Sequence, residues 1–187
     1  KVEINWMKEI VARWNSFTKG NEVVWTVLQN EQMDEVLESK DPVKLRKKFD
    51  DKYHYRTAVE AGFVYMNFNM DDPEIGYNKD KAREARNKAL RCAIRKGFDW
   101  QQRIDRFYLG IGSAYPGVIP PGVDGFDPKM SRESVTYDPE GAKKLLKDNG
   151  WTADNLPVFT YSGVSSVRDK QFFEQFRGWM TKIGYPR

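Results

Sequence analysis

The residues that could act as nucleophiles, bases or cofactor ligands lack the neighbours that catalysis needs. His54 is the only histidine, and nothing around it has the pattern of a catalytic triad, in which a base is held beside the nucleophile. Tyr161-Ser162-Gly163 lacks the flanking glycine of a nucleophile elbow. Gly110-Ile111-Gly112 lacks the third glycine of a dinucleotide-binding loop and follows a predicted helix instead of a strand. We therefore predict that the chain is not an enzyme and uses no cofactor.

The acidic pair Asp71-Asp72 admits two interpretations. Two carboxylates could carry out acid–base chemistry or bind a hard cation. Because they directly precede Pro73, where aspartates commonly accept backbone hydrogen bonds, the sequence favours a turn. One cysteine and one histidine exclude an internal disulfide and a zinc cluster, and we predict no metal site.

Charge is distributed in both signs along most of the chain, with 31 basic and 27 acidic residues. The basic run 44–48 could contact phosphate, but Asp50 and Asp51 follow it at once, which favours a solvated face. We predict no nucleic-acid partner. Hydrophobic residues make up 40% of the chain and aromatic residues 14%, which indicates a globular protein, and no apolar window approaches the ~18 residues of a membrane span.

Helices and strands alternate in the predicted order of elements. Apolar residues at helical spacing predict helices over 4–17, 31–38, 79–96, 99–109, 138–149 and 165–183. Strand composition or alternation is found at 22–28, 53–58, 62–69 and 157–161, and Asp41-Pro42 is predicted to start a further helical turn. These elements predict an α/β (α+β) class in which a mixed sheet is flanked by helices.

The segment 110–137 is predicted to be a long irregular loop because it is rich in glycine and proline and has no periodicity. Loops longer than about 12–15 residues are uncommon inside compact domains and often functional, so we expect this loop to contribute to a site. Tyr65, in the predicted strand, and Tyr115, in the loop, are the aromatic residues most suited to a ligand pocket.

The order strand, helix, helix, glycine–proline loop and Asp-Pro-capped helix is similar to a block in one protein family. That family is the extracellular (periplasmic) solute-binding proteins of family 5, which serve the oligopeptide, dipeptide and nickel ABC importers. The matching segments are 65–69, 86–98, 107–110, 117–122 (Gly-Val-Ile-Pro-Pro-Gly), 125–128 (Gly-Phe-Asp-Pro), 137–146 and 150–151. At Arg95 the chain departs from the family, which commonly has an acidic residue there.

The resemblance implies part of a two-lobed, periplasmic-binding-protein-like fold within a longer protein. Residues 1–60 would then belong to the C-terminal portion of the first lobe and residues 61–187 to the first half of the second. It also implies an oligopeptide ligand, a monomer, delivery to an ABC permease of the inner membrane, and a periplasmic or membrane-anchored extracellular location. The predicted cleft residues are Tyr65, Asn67, Asn69, Ser113, Ala114 and Tyr115. A nickel chelate or an oligosaccharide remains an alternative cargo, and a hydrolase or transferase using Asp71, Asp72 or Glu74 an alternative function.

Overall fold

The computed structural model describes residues 2–22, 24–25, 28, 30–40, 42–56, 58 and 61–186. The chain divides into two compact units, Lys1–Tyr55 and Arg56–Arg187. This division falls close to the boundary at residue 60 that the resemblance implies. The assignment of the two units to two lobes stays a prediction.

The first unit combines three helices with a small sheet. Its elements are α1 (Ile10–Thr18), α2 (Asn30–Val36), β1 (Leu37–Lys40), β2 (Val43–Leu45) and α3 (Lys47–Asp50). The two strands pair antiparallel, with Leu37 opposite Leu45 and Lys40 opposite Val43. The core of this unit is rich in aromatic residues, and its buried members are Trp14, Phe17, Val36, Leu37 and Phe49.

Near the first unit, one predicted helix start and one predicted strand are wrong, and a second predicted strand lies partly outside the described residues. Pro42 does not start a helix, because it lies in the turn between β1 and β2, where its fixed φ is equally suitable. No strand forms at the described residues between 53 and 58; the Tyr55 hydroxyl instead donates to the Val43 carbonyl at 3.1 Å. Of the predicted strand 22–28, residues Val23, Thr26 and Val27 lie outside the described residues.

The second unit is built on four helices. These are α4 (Lys81–Gly97), α5 (Trp100–Tyr108), α6 (Pro139–Asp148) and α7 (Val167–Lys182), with a short 3-10 helix at Arg132–Val135. Helix α4 packs against both α6 and α7. Its apolar stripe includes Leu90, Ala93 and Ile94, all with no exposed surface. This stripe joins one core with residues of the other helices, among them Ala142, Leu146, Phe172, Phe176, Trp179 and Met180.

The helix starts predicted from capping residues are confirmed. Asp99 accepts a hydrogen bond from the Gln102 amide at 2.9 Å, and Asp138 accepts one from Gly141 at 2.8 Å, with proline in the first turn of α6. Ser166 is the cap of α7, with its hydroxyl accepting from the backbone amide three residues on, at 3.0 Å. Each side chain satisfies an amide that has no partner inside the helix.

The predicted strands 62–69 and 157–161 are wrong as hydrogen-bonded strands. Neither segment forms a ladder, and the sheet found within the described residues is the antiparallel pair β1–β2. A strand requires a neighbour that accepts and donates its backbone hydrogen bonds, and no described segment lies in that position. The predicted alternation is nevertheless present, because Met66 and Phe68 pack on the core while Tyr65, Asn67 and Asn69 are exposed. Helices with a small sheet confirm the α/β class.

The long segment after α5 is irregular, as predicted. Apart from the 3-10 helix, residues 110–131 and 136–137 form no helix or strand, and turns and bends occur within 110–130. Leu109, which ends α5, has a φ of 52°, and this left-handed conformation turns the chain out of the helix. None of the helices in the described part of the chain is long and apolar enough to cross a bilayer.

Candidate ligand-binding cavity

A cavity of about 300 Å³ lies in the second unit between the two segments that were predicted as strands. Residues 64–67 and 69 form one wall and residues 159–162 the other. The floor consists of Phe98, Trp100 and Arg103, which lie at the end of α4 and in α5, together with Phe172 of α7. The cavity therefore depends on the helical core for its base and on irregular backbone for its walls.

Three of the six predicted cleft residues line this cavity. Tyr65, Asn67 and Asn69 belong to its wall, and with 63% of its surface exposed, Tyr65 lies at the rim. The Asn69 side chain is partly occupied, because its oxygen accepts a hydrogen bond from the Asp71 amide at 3.1 Å. Asn67 makes no hydrogen bond with another described residue and is the freer of the two amides.

The other three candidates, Ser113, Ala114 and Tyr115, are not among the residues that line this cavity. The Ala114 carbonyl accepts a hydrogen bond from Arg132 at 2.8 Å. The Tyr115 ring packs edge-on against Phe126, with 6.3 Å between centroids. Burial raises the pKa of the Tyr115 phenol, so that the group is neutral at physiological pH. A role for this loop in ligand binding stays a prediction.

The acidic pair Asp71-Asp72 forms a turn, as the sequence favours. One carboxylate oxygen of Asp72 accepts hydrogen bonds from the amides of Glu74 and Ile75, at 2.9 and 3.0 Å. This arrangement uses the side chain to close the chain on itself. Among the residues that the structure describes, no group of three or more His, Cys, Asp and Glu side chains could hold a metal ion.

Arg103 is a cavity residue that the sequence reasoning missed. Its guanidinium carbon lies 3.8 Å from the centroid of the Phe172 ring, close enough for a cation–π interaction. Its Nη1 atom is buried and has no hydrogen-bond partner in the described part of the chain. The spacing in the sequence could have indicated this position. Residue 103 follows Trp100 by three and precedes Phe107 by four, which places it on the buried face of α5.

Tyr161 brings a neutral hydroxyl to the same cavity. Burial raises the pKa of this phenol, and the negative charge of Asp169 raises it further, while the positive charge of Arg103 opposes both. Its ring packs against Phe172 and Phe176 with centroid distances of 5.8 and 6.1 Å. The phenol is therefore a fixed hydrogen-bonding group and not an ionisable one at neutral pH.

Free backbone groups border the cavity on both sides. Residues 61–68 and 158–163 form no backbone hydrogen bond with any other described residue. Most of these residues are exposed, so their backbone groups can bind water in the absence of a ligand. The same amides and carbonyls are available to a ligand whose own backbone lies in the cavity.

The chain matches a family model described as bacterial extracellular solute-binding proteins, family 5 Middle, over residues 1–185. The match extends well beyond residues 65–151, to which the clearest resemblance is confined. No match to a curated protein or to a solved structure reaches significance.

Proposed function

Because the chain belongs to the bacterial extracellular solute-binding proteins of family 5, we propose that it forms part of a protein that binds oligopeptides and delivers them to an ABC permease. Members of this family are the solute-binding components of ABC importers, work outside the cytoplasmic membrane, and are binding proteins instead of enzymes. In the proposal, residues 1–60 and 61–187 belong to two lobes of a monomer that closes around the peptide.

The observation that carries this proposal is the free backbone along both walls of the cavity. A peptide lying between 64–68 and 159–162 would donate to and accept from these unpaired groups, as in strand addition to an open sheet edge. Main-chain hydrogen bonds do not depend on the identity of the side chains, so this mode of binding suits a carrier of varied peptides. The exposed side chains of Tyr65 and Asn67 would lie beside the bound backbone.

The cavity is large enough to hold part of a bound peptide. At about 300 Å³, it lies at the lower end of the ~300–1,000 Å³ typical of ligand pockets. Such a space holds one or two residues of a peptide, and the remainder would be held by the opposite lobe. Ser113, Ala114 and Tyr115 are proposed to contact the ligand only in the closed protein.

Calorimetric titration of the full-length protein with a mixed peptide library tests the proposal. A peptide that binds should then be compared with versions carrying a methyl group on successive backbone nitrogens. Each hydrogen bond lost to such a methyl group contributes about 1 kcal/mol, so the methylated peptide should bind about fivefold more weakly at the positions held by the walls.

The matched control carries the same extra carbon on a side chain instead of on the backbone nitrogen, and it should retain most of the affinity. Main-chain recognition would be refuted if both changes weakened binding equally at every position. If no peptide binds while a nickel chelate or an oligosaccharide does, the cargo is a different solute. The oligosaccharide alternative is favoured by Trp100 and Asn67, since aromatic and amide side chains also suit sugar rings and hydroxyl groups.

A further inference from the structure

Arg103 carries a positive charge that has no negative partner in the described part of the chain. No carboxylate lies in ion-pair contact with it, although nine other basic residues have such a partner. The two acidic residues on or before α5 accept hydrogen bonds from other groups, because Asp99 caps the helix and Asp105 accepts from Gln101. Since a partly buried charge without a partner is unfavourable, the environment of Arg103 suggests a missing anion.

The guanidinium is held in a defined orientation. Phe172 lies against it at 3.8 Å and Phe107 at 6.0 Å, and Phe172 is almost fully buried in the helical core. A guanidinium that stacks on a ring keeps its N–H groups directed outward in its own plane. Because Nη1 is buried, a carboxylate would bind through Nε and Nη2, one of the pairs of donors that arginine offers to two carboxylate oxygens.

The rest of the cavity contains no competing charge. Arg103 is the one charged residue among the described residues that line it. The other lining side chains are aromatic, aliphatic, amide or hydroxyl groups, and the hydroxyl of Tyr161 stands close enough for Arg103 to affect its ionisation. A single positive charge among uncharged lining groups attracts an anion by Coulomb interaction, so it should favour one anionic group on the ligand.

We propose that Arg103 forms a carboxylate-binding subsite, which takes an acidic side chain or the C-terminal carboxylate of the bound peptide. This inference rests on the proposed function, because it assumes that the ligand is a peptide. It adds a preference to a mode of binding that is otherwise independent of sequence. Under this proposal, backbone contacts hold the peptide while Arg103 selects its charge and register.

The test compares matched peptides in the full-length protein. One pair differs by Glu against Gln at each position in turn, and a second pair has a free C-terminal carboxylate or a C-terminal amide. In the unmodified protein, the acid should bind about tenfold or more tightly than its neutral counterpart in one of the two pairs, since hydrogen bonds to charged groups are the stronger class. The pair that responds identifies which carboxylate occupies the subsite.

Three variants connect the preference to this residue. Arg103→Met removes the charge while keeping a long apolar stem over Phe172, and it should abolish the preference, measured as the ratio of the affinities for the acidic and the neutral peptide in the same variant. Arg103→Lys keeps the charge without the paired donors and should restore the preference in part. Arg106→Met is the control, because Arg106 is exposed on the same helix and does not line the cavity; it should keep the full preference.

The outcomes separate this inference from the proposed function. If neutral peptides bind but neither the Glu and Gln peptides nor the acid and amide differ in affinity, the carboxylate subsite is refuted and the peptide-binding function stands. The same holds if the Arg103→Met variant binds neutral peptides normally and keeps the full preference. If no peptide of either kind binds, both proposals fail.

Discussion

Replacing Gly97 by alanine should test the packing of α4 against α7. Gly97 is buried at the end of α4, and a Cβ atom added there would lie 2.9 Å from Cγ2 and 3.0 Å from Cδ1 of Ile183, and 3.2 Å from Cε of Met180. Carbon atoms in favourable contact are separated by about 3.5–4.0 Å. The new methyl group would therefore overlap Ile183 by about half an ångström or more. Ile183 is itself 1% exposed and has no open space to move into.

Two opposing effects determine how much Gly97→Ala changes the free energy of unfolding. Glycine inside a helix is about 1 kcal/mol less favourable than alanine, so the substitution gains that amount from the backbone. Overpacking a well-filled core typically costs about 1–3 kcal/mol. The net change in the free energy of unfolding should therefore lie between no effect and a destabilisation of about 2 kcal/mol, in spite of the better helix propensity.

Gly178→Ala is the matched control, because it is the same substitution in α7. Gly178 is exposed, and nothing lies within 4 Å of an added Cβ. This variant should gain about 0.5–1 kcal/mol. Urea denaturation measures both free energies, and hydrogen exchange of the α4 and α7 amides assigns the change to the second unit. A Gly97→Ala variant as stable as Gly178→Ala would contradict the described contact between Gly97 and Ile183.

Two further predictions concern polar groups of the second unit. Hydrogen bonds from the Gly141 amide and from Lys96 hold the pKa of Asp138 below its usual value. A carboxyl group with a lowered folded-state pKa contributes stability that is present above about pH 4 and is lost as the pH falls through the folded value. Asp138→Asn keeps a capping oxygen but should flatten this acid dependence in denaturation measured from pH 7 to pH 3; an unchanged slope would contradict the assignment. Tyr185→Phe removes the 2.8 Å hydrogen bond to the Pro157 carbonyl and should cost about 1 kcal/mol in urea denaturation, whereas the same change at an exposed tyrosine should have no effect.

The helices of the second unit were predictable because their signals are local. Asp99, Asp138 and Ser166 each have a side-chain oxygen that reaches an amide within three residues, so that the cap and the helix are specified by adjacent residues. The stripe containing Leu90 and Ile94 is equally local, since residues four apart share one face of a helix. In these helices the structure agrees with the sequence because the deciding contacts lie within one or two turns.

The strands were not predictable to the same degree, because pairing depends on segments that are distant in the chain. Alternation at 62–69 places Met66 and Phe68 on the core correctly, although Val64 of the same face is exposed, and it carries no information about a hydrogen-bonded neighbour. Pro42 illustrates the related ambiguity of a local signal. A fixed φ is compatible with the first turn of a helix and with the turn of a hairpin, and only the pairing of β1 with β2 decides between them.

Arg103 was not predicted as a cavity residue because its environment also depends on residues that are distant in the sequence. In the sequence it is one of two basic residues on α5, with Arg106, and such residues usually face solvent. Its environment depends on Phe172, which lies in another helix and stacks against it at 3.8 Å. A basic residue on the apolar side of a helix is therefore a useful signal only when the packing of that side is already known.

The floor of the cavity also belongs to the core of the second unit. Phe98 is 3% exposed and packs against Trp179 with a centroid distance of 4.9 Å and against Trp100 at 4.4 Å. Because interiors are closely packed, side chains held in this way keep one arrangement. The walls differ, since the backbone groups of residues 64–67 and 159–162 have no backbone partner in the described part of the chain. Under the proposed function, a peptide would meet a packed floor, where Arg103 is proposed to select a carboxylate, and walls whose backbone groups bind it independently of its side chains. The proposal thus assigns broad binding to the walls and the charge preference to the floor.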